Sequence, residues 1–302
     1  MFVVNNIKNN MNSLMEKLEF SYDVKETFNQ VLDMVIDNKE FCERFLKLYE
    51  AYASDINTDI IFTLKDIAKE LEKQGIECGT FYMMQILCFG EALKTHYIKS
   101  PLGEEGFNRI IADIKYKLEE CMLVKGYIGT FVADWYINIF KMGCVAFDRL
   151  QFEIISIPES FVINGISYSE KTKAINVHIP RTGERLDHDR VLNSYKLAAE
   201  YFAEEFDGEI LFTCRSWMLY PWHKTVLSEK SNMMQFYNDY CIVNFGDYAD
   251  YNQIWRLFDC EFDGDVDKLP QDSTLRRAYV ERIKKGEPIG FGRGVFIYKQ
   301  EW

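Results

Sequence analysis

The stretch from Ala174 to Trp217 constrains the fold more than any other part of this chain. Ala174-Ile-Asn-Val-His-Ile-Pro180 alternates, which places Ile175, Val177 and Ile179 on one face of a strand, and Pro180, with no N–H for a ladder, stops it. The loop Arg181-Thr-Gly-Glu-Arg-Leu186 follows. Asp187 then reads as the N-cap of a helix with Val191, Tyr195, Ala198, Phe202 and Phe206 on one stripe, ended by Gly208. Glu209 to Cys214 is a second apolar strand, and Arg215-Ser-Trp-Met-Leu-Tyr220 leads away from it. A crossover of this length predicts two adjacent parallel strands in a right-handed unit, splaying apart at His178 and Cys214. In such a unit ligands lie beyond the carboxyl ends of the strands, where His178 to Arg185 and Cys214 to Trp217 converge.

Before this unit, residues 11–125 read almost wholly as helix. Met11 to Phe20, Lys25 to Val35, Lys39 to Ala51, Leu64 to Gln74, Thr80 to His96 and Glu104 to Leu123 each carry apolar residues at three- and four-residue spacing. Near Gly143 the pattern changes to alternation. Val145 to Ile157, Phe161 to Ser169 and Lys173 to Ile179 read as consecutive strands, with Asn164-Gly165 as a turn. After the crossover come helices near Pro221, at Ser231 to Tyr240, near Tyr251 to Leu257 and at Ser273 to Lys285, with strands at Cys241 to Phe245 and Gly290 to Tyr298. The predicted class is α/β, or α+β: a helical domain over residues 1–125, then a mixed sheet over 126–302 with one parallel βαβ unit and splayed strands.

The formal charge of −12, without a Lys/Arg cluster, argues against nucleic acid or an anionic membrane as partner. Eight cysteines are scattered with no Cys-x-x-Cys pair, so no metal centre is expected. With no signal sequence at Met1-Phe-Val-Val-Asn-Asn, a reduced, cytoplasmic setting is the expectation. The stretch Tyr127 to Phe147 is the most membrane-like, but Asp134 and Lys141 interrupt it, and it reads as a buried helix.

Several strings in the second half resemble a bacterial family of two-domain GNAT-like acyltransferase-domain proteins. They are Arg149-Leu-Gln-Phe-Glu153, His178-Ile-Pro180, Cys214-Arg-Ser-Trp217, Ser231-Asn232 with Phe236, Leu269-Pro270, Ser273-Thr-Leu-Arg-Arg277 and Gly290-Phe-Gly-Arg-Gly294. The helical first half is similar to that family's N-terminal domain. The resemblance implies transfer of an acyl group from acyl-CoA or acetyl-CoA to an amine, with the acceptor undefined. It further implies that Ile179, Arg181, Gly183, Arg185, Asp187 and Trp217 surround the CoA, and that backbone amides at a helix start hold its pyrophosphate. The loop departs from the usual glycine-rich pattern: Gly183 is its one glycine, and Glu184 and Asp187 carry the wrong sign.

Each candidate also has a structural reading. Glu153 or His178 would accept the proton of an attacking amine, or else make a structural hydrogen bond. Arg149, four residues before Glu153 and assigned with it to one strand face, and Asn232 are candidates for substrate binding, or for a salt bridge and a helix start. Ser216 or Tyr220 would protonate the departing thiolate, or cap a turn and pack at the surface. Cys214, with His178 or His223, would serve a thiol-dependent transferase or hydrolase, or fill core. A third possibility is a non-catalytic protein that keeps the fold to bind a ligand. The triplet Gly290, Gly292 and Gly294 lacks the Lys-Ser/Thr and helix of a phosphate loop and reads as a strand approached closely by other backbone.

Overall fold

A computed structural model describes residues 2–298 apart from 164; Met1 of the leader reading and Asn164 of the predicted turn lie outside the described residues. The chain divides into two compact units, Met1–Val145 and Ala146–Trp302.

The first unit is helical: α1 Phe2–Lys17, α2 Tyr22–Asp37, α3 Lys39–Ser54, α4 Lys65–Glu72, α5 Cys78–Ile98, α6 Gly103–Ile111, α7 Asp113–Lys125 and α8 Tyr136–Phe140. Helix α5 is apolar all round, with Phe81, Met84, Leu87, Cys88 and Phe89 buried, and such a helix belongs at the centre of a bundle. Helix α1 approaches it at Gly90, where a Cβ would lie 2.6 Å from Leu14. The predicted helix Glu104 to Leu123 is two helices. Apolar spacing runs on across the break at Ala112, but buried Asp113 opens the second helix and accepts the Trp135 indole N–H at 3.0 Å. Nor is Tyr127 to Phe147 one buried helix: it holds a 3₁₀ turn at Ala133–Trp135, α8, and a whole strand at Cys144–Phe147. Among the described residues no helix is long and apolar enough to cross a membrane.

The strands are β1 Cys144–Phe147, β2 Leu150–Ser156, β3 Phe161–Ile163, β4 Ile166–Tyr168, β5 Lys173–His178, β6 Leu211–Ser216, β7 Cys241–Asp247 and β8 Gly290–Ile297. The expected single strand Val145 to Ile157 is a hairpin, turned at Asp148-Arg149 with Asp148 in the left-handed region (φ 49°). The order β1-β2-β5-β6-β8-β7 forms one sheet, whereas β3 and β4 leave the meander and pair with each other. The remaining helices are α9 His188–Tyr201, α10 Asn232–Asn238, α11 Trp255–Phe258 and α12 Thr274–Lys284.

Strands β5 and β6 are adjacent and parallel, in register at Ile175↔Phe212 and Asn176↔Thr213. Beyond these pairs each keeps its other neighbour: β5 stays with β2 to Gln151↔His178, and β6 stays with β8 to Ser216↔Gly292. The two strands therefore part company toward His178 and Ser216. Register also assigns faces. Helix α9 covers one, where Tyr195 packs on Phe212 and Phe296, themselves stacked 4.9 Å apart. The β3–β4 hairpin covers part of the other through Phe161 and Ile163, packed with Ala174, Leu211 and Val295. Further along that second face Glu153, Asn176, His178, Thr213, Arg215 and Arg293 follow each other across four strands.

The β8 glycines admit neighbouring chain, as the close-approach reading expects. A Cβ at Gly292 would strike the Leu219 carbonyl oxygen, one at Gly290 would meet the Tyr220 ring at 2.6 Å, and one at Gly294 the Tyr240 Cβ at 2.5 Å. Outermost in the sheet, β7 is largely solvent-facing and slips register against β8 between Ile242 and Asn244.

Candidate active site

The splay gathers the site. Glu153 and Asn176 are direct antiparallel partners, and His178 lies two residues further along β5 on the same face. Parity alone thus brings three polar side chains together. His178 Nε2 lies 2.8 Å from Glu153 Oε1, Asn176 Nδ2 donates to that oxygen at 2.9 Å, and Asn176 Nδ2 stands 3.1 Å from His178 Nε2. With the Nε2 proton pointed at Glu153, the carboxylate fixes the ring's orientation. The His178 and Glu153 side chains retain 25% and 17% of their exposure, enough to be reached by a substrate. Sequence reading had both residues but missed Asn176, although its position between Ile175 and Val177 already places it on the face of His178.

Cys214 does not join them. The register Asn176↔Thr213 puts Thr213 on the side of His178 and turns Cys214 to the opposite face, against the core. Burial pushes its thiol up to about 12, so a thiolate is suppressed at neutral pH. His223 turns elsewhere, with Nδ1 3.3 Å from Met218 O and Nε2 2.7 Å from Tyr279 Oη. The thiol-nucleophile reading is corrected on these grounds: Cys214 faces away from His178, His223 is bonded to Met218 and Tyr279, and burial keeps the thiol protonated.

Past β5, half-buried Ile179 and Pro180 lead into the loop toward α9. Gly183 has φ 76°, a left-handed turn that glycine adopts without strain. Arg149 sits in the β1–β2 turn rather than on the Glu153 face, and its buried guanidinium donates to Pro180 O at 2.9 Å and Glu184 O at 3.4 Å. It braces the loop from beneath. Asp187 caps α9, accepting from Arg190 N at 3.3 Å, and the Glu184 carboxylate pairs with Arg190 at 2.7 Å. The two wrong-sign charges of the loop are therefore both engaged locally. Arg181 is held by Asp259 at 2.8 Å, which also binds Arg276 at 2.7 Å, whereas Arg185 is exposed. What faces outward is a helix start with Arg185 beside it, a setting suited to phosphate.

At the end of β6, Ser216 accepts from Met218 N at 3.2 Å and opens a 3₁₀ turn over Trp217–Leu219, with the Trp217 ring 5.9 Å from that of His223. Tyr220 is buried rather than at the surface. Its hydroxyl donates to Asp247 at 2.6 Å and receives Arg282 at 3.3 Å, toward β7 and β8, and burial followed by the Asp247 bond raises its pKa. Asn232 begins α10 behind the Ser231 cap, which accepts from Met234 N. Of the predicted residues, the structure thus joins Glu153 to His178 and groups Arg149 with the 181–187 loop, while Tyr220 is held by Asp247 and Arg282 and Asn232 stands at the start of α10. Among the described residues no cluster of His, Cys, Asp or Glu could hold a metal ion.

Helical first unit, splayed mixed sheet and polar pair beside the splay together define a two-domain protein with a GNAT-like second half. The sequence matches the family model of the GNAT-like C-terminal domain over residues 141–296 and that of the N-acyltransferase N-terminal domain over residues 9–142. The chain belongs to this family of GNAT-like C-terminal domain proteins. Among solved structures, an acyltransferase in complex with decanoyl-CoA and teicoplanin is 17% identical with TM-score 0.69, the match covering 95% of this chain and 87% of that one. An acyltransferase in complex with decanoyl-CoA is 15% identical with TM-score 0.66, covering 96% of this chain and 100% of that one. These likenesses establish the shared fold. No curated protein matches the sequence.

Proposed function

We propose that this chain is an acyl-CoA-dependent N-acyltransferase whose base is the Glu153–His178 pair. The observation that carries the reading is that pair, 2.8 Å apart, standing where the two parallel strands separate. Amides of residues 183–187 and the start of α9 hold the pyrophosphate on the face that α9 covers, and the thioester passes into the gap between β5 and β6. It then meets the opposite face, where an amine can attack. The amine nitrogen bonds to the thioester carbonyl carbon, the C–S bond breaks, the N–H proton passes to the Glu153–His178 pair, and CoA leaves as a thiolate that takes up a proton. Membership of the family supports the donor class, and the eight free cysteines accord with a reduced, cytoplasmic setting.

Decanoyl-CoA, present in the similar crystal structures, is the first donor to test. Calorimetry is expected to show binding, and a thiol-release assay over an amine panel to show transfer. Glu153→Gln and His178→Gln should each lower the transfer rate by about 10²- to 10⁴-fold while decanoyl-CoA still binds. Absence of binding to any acyl-CoA would overturn the proposal, as would full activity in both variants.

A further inference from the structure

The face that carries Glu153 and His178 also carries a second group of charges, which acyl transfer as described leaves unused. Arg215 of β6 and Arg293 of β8 are direct cross-strand partners, an arrangement in which like charges repel. A carboxylate relieves one of them: Arg293 Nε lies 2.9 Å from Glu159. Burial pulls the Arg293 pKa down, Glu159 pushes back, and Arg215 adds to the fall. Among the described residues no carboxylate pairs with Arg215. Its guanidinium instead lies 3.6 Å from the centre of the Phe291 ring, on the same face. Stacking of this kind fixes the plane of the fork and leaves its N–H edge available to a planar anion.

Place matters as much as charge. Asn176 and Thr213 are the last parallel partners, and His178 and Arg215 each lie two residues beyond them, on the same face. They therefore stand on opposite walls of the opening gap. Fully paired strands would be about 4.8 Å apart, and past Asn176↔Thr213 the two strands no longer keep that pairing. An amine presented to Glu153 and His178 has a stacked, exposed arginine as its other neighbour. In a chain of net charge −12, such a local pair is what would draw an anion to this point.

We infer that Arg215, backed by Arg293, binds a carboxylate of the acceptor, so that the acceptor is an amine bearing a nearby carboxylate, as in an amino acid. The inference rests on the acyl-transfer reading above and narrows it to a substrate class.

The test compares N-decanoylglycine with N-decanoylglycinamide, matched product mimics that differ in the carboxylate alone, titrated by calorimetry into the full chain with CoA present. Wild type is expected to bind the acid at least about tenfold more tightly than the amide, the scale of one charge-assisted hydrogen-bonded contact. Arg215→Gln should erase that preference, with its thermal unfolding midpoint confirming that the variant is folded. Equal binding of acid and amide by wild type, or a preference that survives in Arg215→Gln, would overturn the inference. Wild type that binds decanoyl-CoA but neither mimic would also overturn it and leave acyl transfer standing. Failure to bind decanoyl-CoA would count against the transferase reading instead, and the acid–amide comparison would still be read on its own.

Discussion

His223 ties stability to pH in a way that can be worked through from its surroundings. The ring is fully buried, with Nδ1 donating to Met218 O and Nε2 accepting from the Tyr279 hydroxyl, so both nitrogens are satisfied in the neutral form. Protonation would leave Nε2 and the Tyr279 oxygen to rearrange without water. Burial lowers the pKa from 6.5 to about 4, helped by the charge of Arg282 and opposed by the Met218 carbonyl. Because the folded value lies below the unfolded one, the unfolded chain binds the extra proton first. Stability from this residue is complete above 6.5 and is lost as pH falls toward about 4, by roughly 3 kcal/mol. Asp239, whose carboxyl is raised by burial, contributes with the opposite sign, so a single curve cannot isolate His223. The measurement is urea unfolding of wild type and His223→Gln at about pH 7 and about pH 4. Whatever the offset of the Gln variant, wild type should lose roughly 3 kcal/mol more than it does across the interval. Parallel losses in the two proteins would refute the argument.

Two further substitutions test the packing that surrounds the site. Gly292→Ala should cost about 1–3 kcal/mol in urea unfolding, because its Cβ would strike Leu219 backbone, which cannot swing aside as a flexible side chain would. A change within about 0.5 kcal/mol would show that the 3₁₀ turn yields freely. Cys214→Ala should cost about 1 kcal/mol, the scale of removing one buried heavy atom, and leave acyl transfer intact; loss of transfer in a folded variant would restore the thiol to the chemistry.

The central unit was legible because its signals are local. Alternation at Ile175 and Val177, Pro180 after the strand, Asp187 at the cap and the Tyr195 stripe each specify one element, and the length of the crossover specifies the parallel pair. Breaks in uniform patterns were less legible. Apolar spacing continues through Ala112 and through Asp148-Arg149, and only tertiary partners, Trp135 for Asp113 and the loop carbonyls for Arg149, show why the chain turns there. At the site, the sequence points to Glu153 and His178 singly, since nothing in it fixes β2 against β5. Arg215 stands within Cys214-Arg-Ser-Trp217 with nothing local to assign it a role, for the same reason: opposing Arg293 is a property of register, and register between distant strands is set by the assembled sheet.

The slipped pairing of β7 against β8 also shapes how the protein meets copies of itself. An evenly spaced row of outward N–H and C=O groups invites further strands, and a sheet that ends in one can grow indefinitely. Between Ile242 and Asn244 that row is broken, and Val243 packs inward against the cluster beneath the β3–β4 hairpin. A visiting strand could match only a short run on either side before losing step. The irregularity that disturbs the outermost ladder therefore gives a strand with a 62%-exposed Phe245 a guard against templated aggregation at high concentration.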